Sequence, residues 1–297
     1  NIFPEFNAFG GASTALSSSN SVNPGNPATY TAYNPNSFLL STGGWYQATK
    51  MQNKIAEQTV NNNAFSHLVL GFPLGREFGA SVGMIPFSST GYEISTNITD
   101  SNNPDYSATT NYYGDGGISK IYFGGAYKLS NVLSIGVNAS YLFGGINRRK
   151  ELVYDDDSFL NSRSNSKINL KGYYYELGFL YKKKLNMNDE FTIGFTANNN
   201  FSIRAKKSEI VESFEFSGFS EAPKDTFVNI IEWGDIALPR HTSVGIAYNK
   251  DKRWVLVADY SIQNWADYTI FDESDNLSNS MRISGGLQYT PQYNSVN

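Results

Sequence analysis

Five ionisable residues raise the first chemical question. Glu176, Asp259, Arg282 and Arg148 fall on the polar parity of alternating segments, with Lys171 nearby in the chain. An enclosed charge needs a partner, because leaving water uncompensated is costly. A guanidinium holds a carboxylate through two parallel hydrogen bonds, so Arg148 together with Lys171 is a candidate site for a carboxylate ligand. The plainer expectation is an internal salt-bridge network. His241 and Ser243 stand two apart on one strand face, where an imidazole could act as base toward a hydroxyl. No third partner is identifiable, so a polar rim position and no enzyme are expected. Tyr154-Asp155-Asp156-Asp157 clusters oxygen ligands suited to calcium. It lacks the alternating acids and glycine of a dedicated loop and reads as a solvated connection. The triplet Asn138-Ala139-Ser140 falls inside a strand, so its glycosylation pattern is a chance match. No metal and no cofactor are expected.

The elements that must carry these residues alternate with period two. The stretch from Leu238 to Tyr268 is the model for the rest. Val244, Ile246 and Tyr248 alternate with Ser243, Gly245 and Ala247, a polar turn spans Asn249 to Lys252, and Trp254, Leu256, Ala258, Tyr260 and Ile262 then alternate with polar and small residues. Each arm has about ten residues, the length a tilted strand needs to cross a bilayer. Eight further segments share the pattern: Ser37 to Met51, Ala64 to Phe72, Phe78 to Met84, Ile118 to Leu129, Leu133 to Gly144, Tyr173 to Lys182, Phe191 to Ala197 and Met281 to Tyr289. Short connections (Pro73 to Arg76, Ser130-Asn131, Lys183 to Glu190, Asn249 to Lys252) alternate with long polar ones (Gln52 to Asn63, Ser88 to Gly117, Asn147 to Lys167, Ala205 to Pro239, Ala266 to Asn279). Short turns on one side and long loops on the other are the plan of an outer-membrane barrel.

Composition agrees with an all-β, antiparallel transmembrane barrel of about ten visible strands. Tyr and Phe number 20 each, charged residues are only 17%, and mean hydropathy is −0.38. No apolar run approaches the roughly 18 residues of a membrane helix. A barrel evades that test because only alternate residues meet lipid. A sandwich would have shorter strands, and a propeller would repeat every 40 to 50 residues or so; no such repeat is present. A net charge of −4 argues against nucleic acid as a partner. The absence of cysteine removes disulfides, thiolate metal sites and cysteine nucleophiles. With no signal peptide at Asn1, the numbering is expected to begin at the mature end.

Residues 1–36 differ from the remainder. They are rich in Gly, Ser, Asn and Pro, without sustained alternation, and Pro24, Pro27 and Pro35 would each break a ladder. The expected organisation is an N-terminal plug over 1–36 and a barrel over 37–297. Small residues at Gly10, Gly11, Ala12 and Ala15 would let the plug pack closely inside the barrel.

Two places carry a family resemblance. Gly10-Gly11-Ala12, Ala15-Leu16 and Asn26-Pro27-Ala28 resemble the opening of the FadL-type long-chain fatty-acid transporters of the Gram-negative outer membrane. Leu238-Pro239, Gly245-Ile246-Ala247-Tyr248, Asp259-Tyr260 and Asn264-Trp265 resemble the same family in order and spacing. The resemblance implies fourteen strands, a lumen plugged by the N-terminus, and passive uptake of hydrophobic small molecules such as fatty acids. It also implies lateral release where the third strand kinks. Here Gly83 and Pro86 mark that place, since Pro86 has no amide hydrogen to donate. A second reading makes the chain a non-transporting subunit of a larger outer-membrane complex for secretion or barrel assembly, docked through Phe214, Phe216, Phe219 and Phe227 of the 205–239 stretch. Outer-membrane lipid is a partner under either reading. After the tenth segment the sequence ends at Tyr293-Asn294-Ser295-Val296-Asn297. Closure at ten strands or pairing with another chain are alternatives, but an unpaired edge in lipid is costly, so further strands beyond Asn297 are expected.

Overall fold

The computed structural model describes residues 3–52, 57–100, 103–156, 158–198, 201–217, 220–251 and 253–291. Lys252, Asp157, Phe219 and the tail 293–297, each singled out above, lie outside the described residues. A single turn of helix, α1 (Pro4–Asn7), and a 3₁₀ turn at Pro27–Ala32 precede the strands. The strands are β1 (Leu39–Gln52), β2 (Glu57–Pro73), β3 (Phe78–Asp100), β4 (Asn103–Ser130), β5 (Leu133–Tyr154), β6 (Asn161–Lys184), β7 (Glu190–Asn198), β8 (Phe201–Ser217), β9 (Ser220–Leu238), β10 (His241–Lys250), β11 (Trp254–Gln263), β12 (Thr269–Ile270), β13 (Glu273–Ser274) and β14 (Ser280–Tyr289). All belong to one antiparallel sheet. Its main path runs β1-β2-β3-β4-β5-β6-β7-β10-β11-β14, while the β8-β9 hairpin joins the upper part of β6. Among the described residues no ladder joins β1 to β14.

The ten long segments form as expected, but the long polar connections do not remain loops. Most of residues 88–117 continue β3 and β4, whose pairing reaches Asp100↔Asn103. Residues 147–167 largely extend β5 and β6, and 205–239 build β8 and β9. The 52–63 stretch shrinks because β2 already begins at Glu57. The physical reason is visible in Tyr92-Glu93-Ile94-Ser95-Thr96-Asn97-Ile98, which is rich in β-formers and polar residues. Above the hydrocarbon a strand needs only its ladder, so both faces are free to be polar. The 266–279 connection is also less polar in its packing than in its composition. β12 pairs with β9, and Ile270 and Phe271 pack on a buried cluster.

The outward parity forms the expected lipid band. Ile121, Phe123, Ile135, Val137, Leu177, Val244, Ile246, Leu256 and Ile283 are exposed, whereas residues of opposite parity, such as Tyr122, Ala126 and Leu180, are buried. Aromatic pairs mark both margins: Phe78 with Tyr127 (4.5 Å) and Trp254 with Tyr289 (4.2 Å) near the short turns, Tyr141 with Tyr173 (5.5 Å) toward the long hairpins. Ile135 and Phe143 are eight residues apart on β5, roughly 27 Å along a strand, enough for the apolar band of a barrel once tilted. No helix among the described residues is long and apolar enough to cross a membrane.

Candidate functional site

The N-terminal segment occupies the interior at the short-turn end, and the wall is shaped to admit it. One row of directly opposed residues runs Gly79, Ala126, Gly136, Gly178, Thr196, Ser243, Ser261 and Arg282 across eight strands. A Cβ at Gly136 would lie 2.6 Å from the amide nitrogen of Ala28, and one at Gly178 would lie 2.8 Å from Cδ of Pro27. A side chain at either position would push the segment off the wall. Gly10 adopts φ +66° and would bring a Cβ within 2.8 Å of the Gly285 carbonyl, so conformation and space both require glycine there.

Hydrogen bonds then fix the segment to the wall. Asn26 is fully buried. Its Nδ2 donates to Thr14 O (2.7 Å) and Phe179 O (3.2 Å), while its Oδ1 accepts from the Ala28 amide (3.1 Å). Pro27 opens the 3₁₀ turn, where a missing amide costs nothing. Tyr30 donates to Asn138 Oδ1 (2.9 Å), and Asn138 Nδ2 donates to Pro24 O (2.9 Å). Asp259 Oδ2 accepts from the amides of Ser13 (2.7 Å) and Thr14 (2.8 Å), and Arg282 donates to Gly10 O (3.0 Å). Such charge-assisted bonds to backbone are the strong ones. Asp259 Oδ1 is buried without a hydrogen-bond partner among the described residues.

A cavity of about 330 Å³ lies between the segment and the wall. Phe3, Phe6, Ile85 and Pro86 supply apolar lining; Lys120, Glu176, His241, Asp259 and Arg282 supply charge and polarity. Lys120 Nζ sits 2.7 Å from Glu176 Oε2 and 5.5 Å from the centre of the Tyr174 ring. Glu176, Asp259 and Arg282 therefore border one space. Arg148 does not: it borders a second cavity of about 440 Å³ with Asp115, Asn147, Arg149, Lys167 and Ser208. Lys171 shares the strand parity of outward Tyr173 and pairs across to Phe143 and Arg204. Ser243 Oγ bonds Thr14 Oγ1 (2.8 Å) rather than His241. Asp156 Oδ1 accepts from the amide (2.9 Å) and hydroxyl (2.7 Å) of Ser158, which hold its carboxyl below the usual range. Among the described residues no group of three or more His, Asp or Glu side chains is placed to hold a metal.

Gly83 and Pro86 stand where the wall opens. The β2-β3 ladder ends at Leu68↔Met84, although β2 continues to pair with β1 as far as Glu57 and β3 with β4 as far as Asp100. The β3-β4 register shifts between Pro86 and Ser88, leaving Phe87 as a bulge. The cavity reaches the wall at this point, through Ile85 and Pro86.

Sequence reasoning passed over Lys120 and His67. Lys120 shares the inward parity of Tyr122 and Ala126, a signal that was readable. His67 is buried at a register shift in β1-β2, bonded to Ser41 Oγ (2.8 Å) and Ser66 Oγ (2.9 Å), with its ring tilted against that of Phe3 at 4.2 Å. Only the bulge places it there, and strict alternation does not reveal a bulge.

The family model described as BamG matches residues 3–297. The chain belongs to the BamG family. No curated protein is matched by sequence. Among solved structures, this BamG-family chain is similar to the CymD monoaromatic hydrocarbon channel, with 16% identity, TM-score 0.60, and 98% of this chain and 80% of that chain covered. It is also similar to the toluene transporter TodX of Pseudomonas putida, with 16% identity, TM-score 0.59, and 97% and 80% covered. A TodX deltaS2S3 mutant described as a monoaromatic hydrocarbon channel matches with TM-score 0.54 and 16% identity, covering 96% and 74%. The resemblance to FadL-type porins thus holds at the level of fold, and the fold of this BamG-family chain is that of an outer-membrane β-barrel.

Proposed function

We propose that the protein is an outer-membrane barrel that passes hydrophobic small molecules passively between its lumen and the membrane, with residues 1–36 as the plug. One observation carries this reading: the cavity beneath the N-terminal segment reaches the wall at Ile85 and Pro86, where β3 parts from β2. Pro86 has no amide with which to rebuild that ladder, and Phe3, Phe6 and Ile85 line the approach. The cationic groups Lys120 and Arg282 in the lining suit a ligand whose apolar body ends in a carboxylate, such as a fatty acid. Similarity in fold to hydrocarbon channels supports the same reading. The chemistry is transport without reaction, and no cofactor enters it. Purified protein in liposomes is expected to raise the permeation of long-chain fatty acids or toluene above that of protein-free vesicles, and deletion of residues 1–36 to change that rate. Permeation equal to protein-free vesicles for both forms would overturn the proposal.

A second reading, a non-transporting subunit of a larger outer-membrane complex, is favoured by β9. Ile231 and Trp233 are exposed on one face of a hairpin beside the main wall, with Phe227 and Ile230 also exposed on the same strand, and exposed apolar patches mark interfaces. Gentle extraction followed by mass measurement separates the readings. A lone barrel with bound lipid supports transport; a stable complex lost on Trp233→Ser and Ile231→Ser substitution supports the subunit role.

A further inference from the structure

The outward face of β5, β6 and β8 changes character abruptly above the lipid band. On β5 the outward residues Ile135, Val137, Ala139, Tyr141 and Phe143 give way to Asn147 and Arg149; on β6, Tyr175 and Tyr173 give way to Lys171 and Lys167. Cross-strand register aligns the change. Phe143, Lys171 and Arg204 form one row, Lys206 lies in the next outward row beside Asn169, and Lys167 lies between Asn147 and Ser208 in the one after. Lys167 is thus four residues beyond Lys171, roughly 13 Å along the strand. The second cavity, about 440 Å³, opens at this level.

The charges here are unequally engaged. Arg149 is paired with Glu151 and Glu221, and Arg204 is 3.6 Å from Asp235. The acid bordering the cavity, Asp115, accepts from Asn147 Nδ2 (2.9 Å). Among the described residues Lys167 and Lys171 have no carboxylate within salt-bridge distance, and Lys206 lies 5.6 Å over the exposed Trp233 ring. Free ammonium groups beside an interfacial tryptophan, directly above a lipid-facing aromatic margin, match an anionic headgroup in charge and in depth.

We propose that this face, centred on Lys167, Lys171 and Lys206, binds the phosphate of an anionic lipid headgroup in the outer leaflet. The proposal rests on the outer-membrane reading above, with the short turns periplasmic. It does not depend on transport. The occupant is a lipid rather than a free anion because the cationic rows continue an apolar band that can seat acyl chains.

The test uses the whole protein in nanodiscs that contain phosphorylated lipid A among neutral lipids, with native mass spectrometry to count retained lipid A. Wild type is expected to retain it, and Lys167→Gln, Lys171→Gln and their combination to weaken retention about fivefold for each charge removed. Dephosphorylated lipid A should bind wild type no better than the double variant. Equal retention by wild type and double variant overturns the site, and displacement of lipid A by millimolar inorganic phosphate overturns the lipid as its occupant. Permeation measured on the same variants is expected to be unchanged. Failure of wild type to insert would strike the outer-membrane reading and not this site. Heat-dependent gel mobility of each variant establishes that the barrel folds.

Discussion

The two ends of the lumen are filled by opposite means. At the short-turn end the wall is small and polar: Gly136, Gly178, Thr196 and Ser243 lie in one row, and the N-terminal segment supplies the bulk. At the long-hairpin end the sheet and its loops supply the filling themselves among the described residues. Ile118, Leu142, Ile168, Leu170, Tyr174, Ile203 and Ile236 form a buried cluster, with Ile270 and Phe271 of the 266–279 connection against it. Backbone packed on backbone needs glycine and hydrogen bonds, whereas side chain packed on side chain needs volume. The same inward parity therefore carries different residue types along one strand. The Lys120 and Glu176 ion pair lies at the boundary, touching Tyr174 of the apolar cluster and bordering the cavity under the segment.

Breaking that boundary is expected to have the largest effect. Lys120→Met leaves Glu176 with an uncompensated charge in a nearly buried place and should cost about 3–5 kcal/mol of stability. The double variant Lys120→Met with Glu176→Met should recover most of it. Denaturant unfolding in detergent measures both, and a double variant as unstable as the single one would mean that the pair matters for more than mutual compensation.

Within the apolar end, Leu142 is fully buried, and Leu142→Ala should cost about 2–5 kcal/mol. Protease protection of residues 3–36 should be unchanged if the two ends are independent. Exposure of the segment in this variant would show that they form one cooperative unit. The opposite perturbation is Gly178→Ala, whose Cβ meets Asn26, Pro27 and Ala28. It should cost about 1–3 kcal/mol by overpacking and speed proteolysis of the segment, while amide exchange around Leu142 stays at the wild-type rate.

The contrast also accounts for what could be read from the chain. Alternation such as Leu133, Ile135 and Val137 reports the environment of one strand, so lipid-facing positions and the polar parity of Glu176, Asp259 and Arg282 were legible. The row from Gly79 to Arg282 is assembled from eight strands spread over about two hundred residues, and the register that aligns it is visible in none of them alone. Lys120 and Glu176 are 56 positions apart, so Glu176 looked like a charge seeking an unknown partner, and the partner itself was passed over. The polar hairpins were misread as loops because water permits a strand to be polar on both faces. Arg148 and Lys171 were grouped by type, yet Lys171 takes the outward parity above the lipid band.

The smallest expected effect lies on the short turns, outside both fillings. Asp189, in the turn after β6, accepts from the Asp251 amide (3.0 Å) and from Asn186 Nδ2 (2.8 Å), and these bonds hold its carboxyl below the usual range. A depressed folded-state value means that the stabilisation is complete above the ordinary carboxylate range and is lost as pH falls through the folded value. The link between the β6-β7 and β10-β11 turns should therefore hold at pH 5 and above and loosen below about pH 4. Asp189→Asn keeps an acceptor but cannot change charge, so its turn should lose this pH dependence. The Asp251 amide reports the difference: its protection relative to the intrinsic exchange rate should fall between pH 5 and 3 in wild type and stay level in the variant. A fall of equal size in both would place the titrating group elsewhere on the turn. It would leave the two ends of the lumen, which carry the larger energies, as the parts of the barrel to which stability is tied.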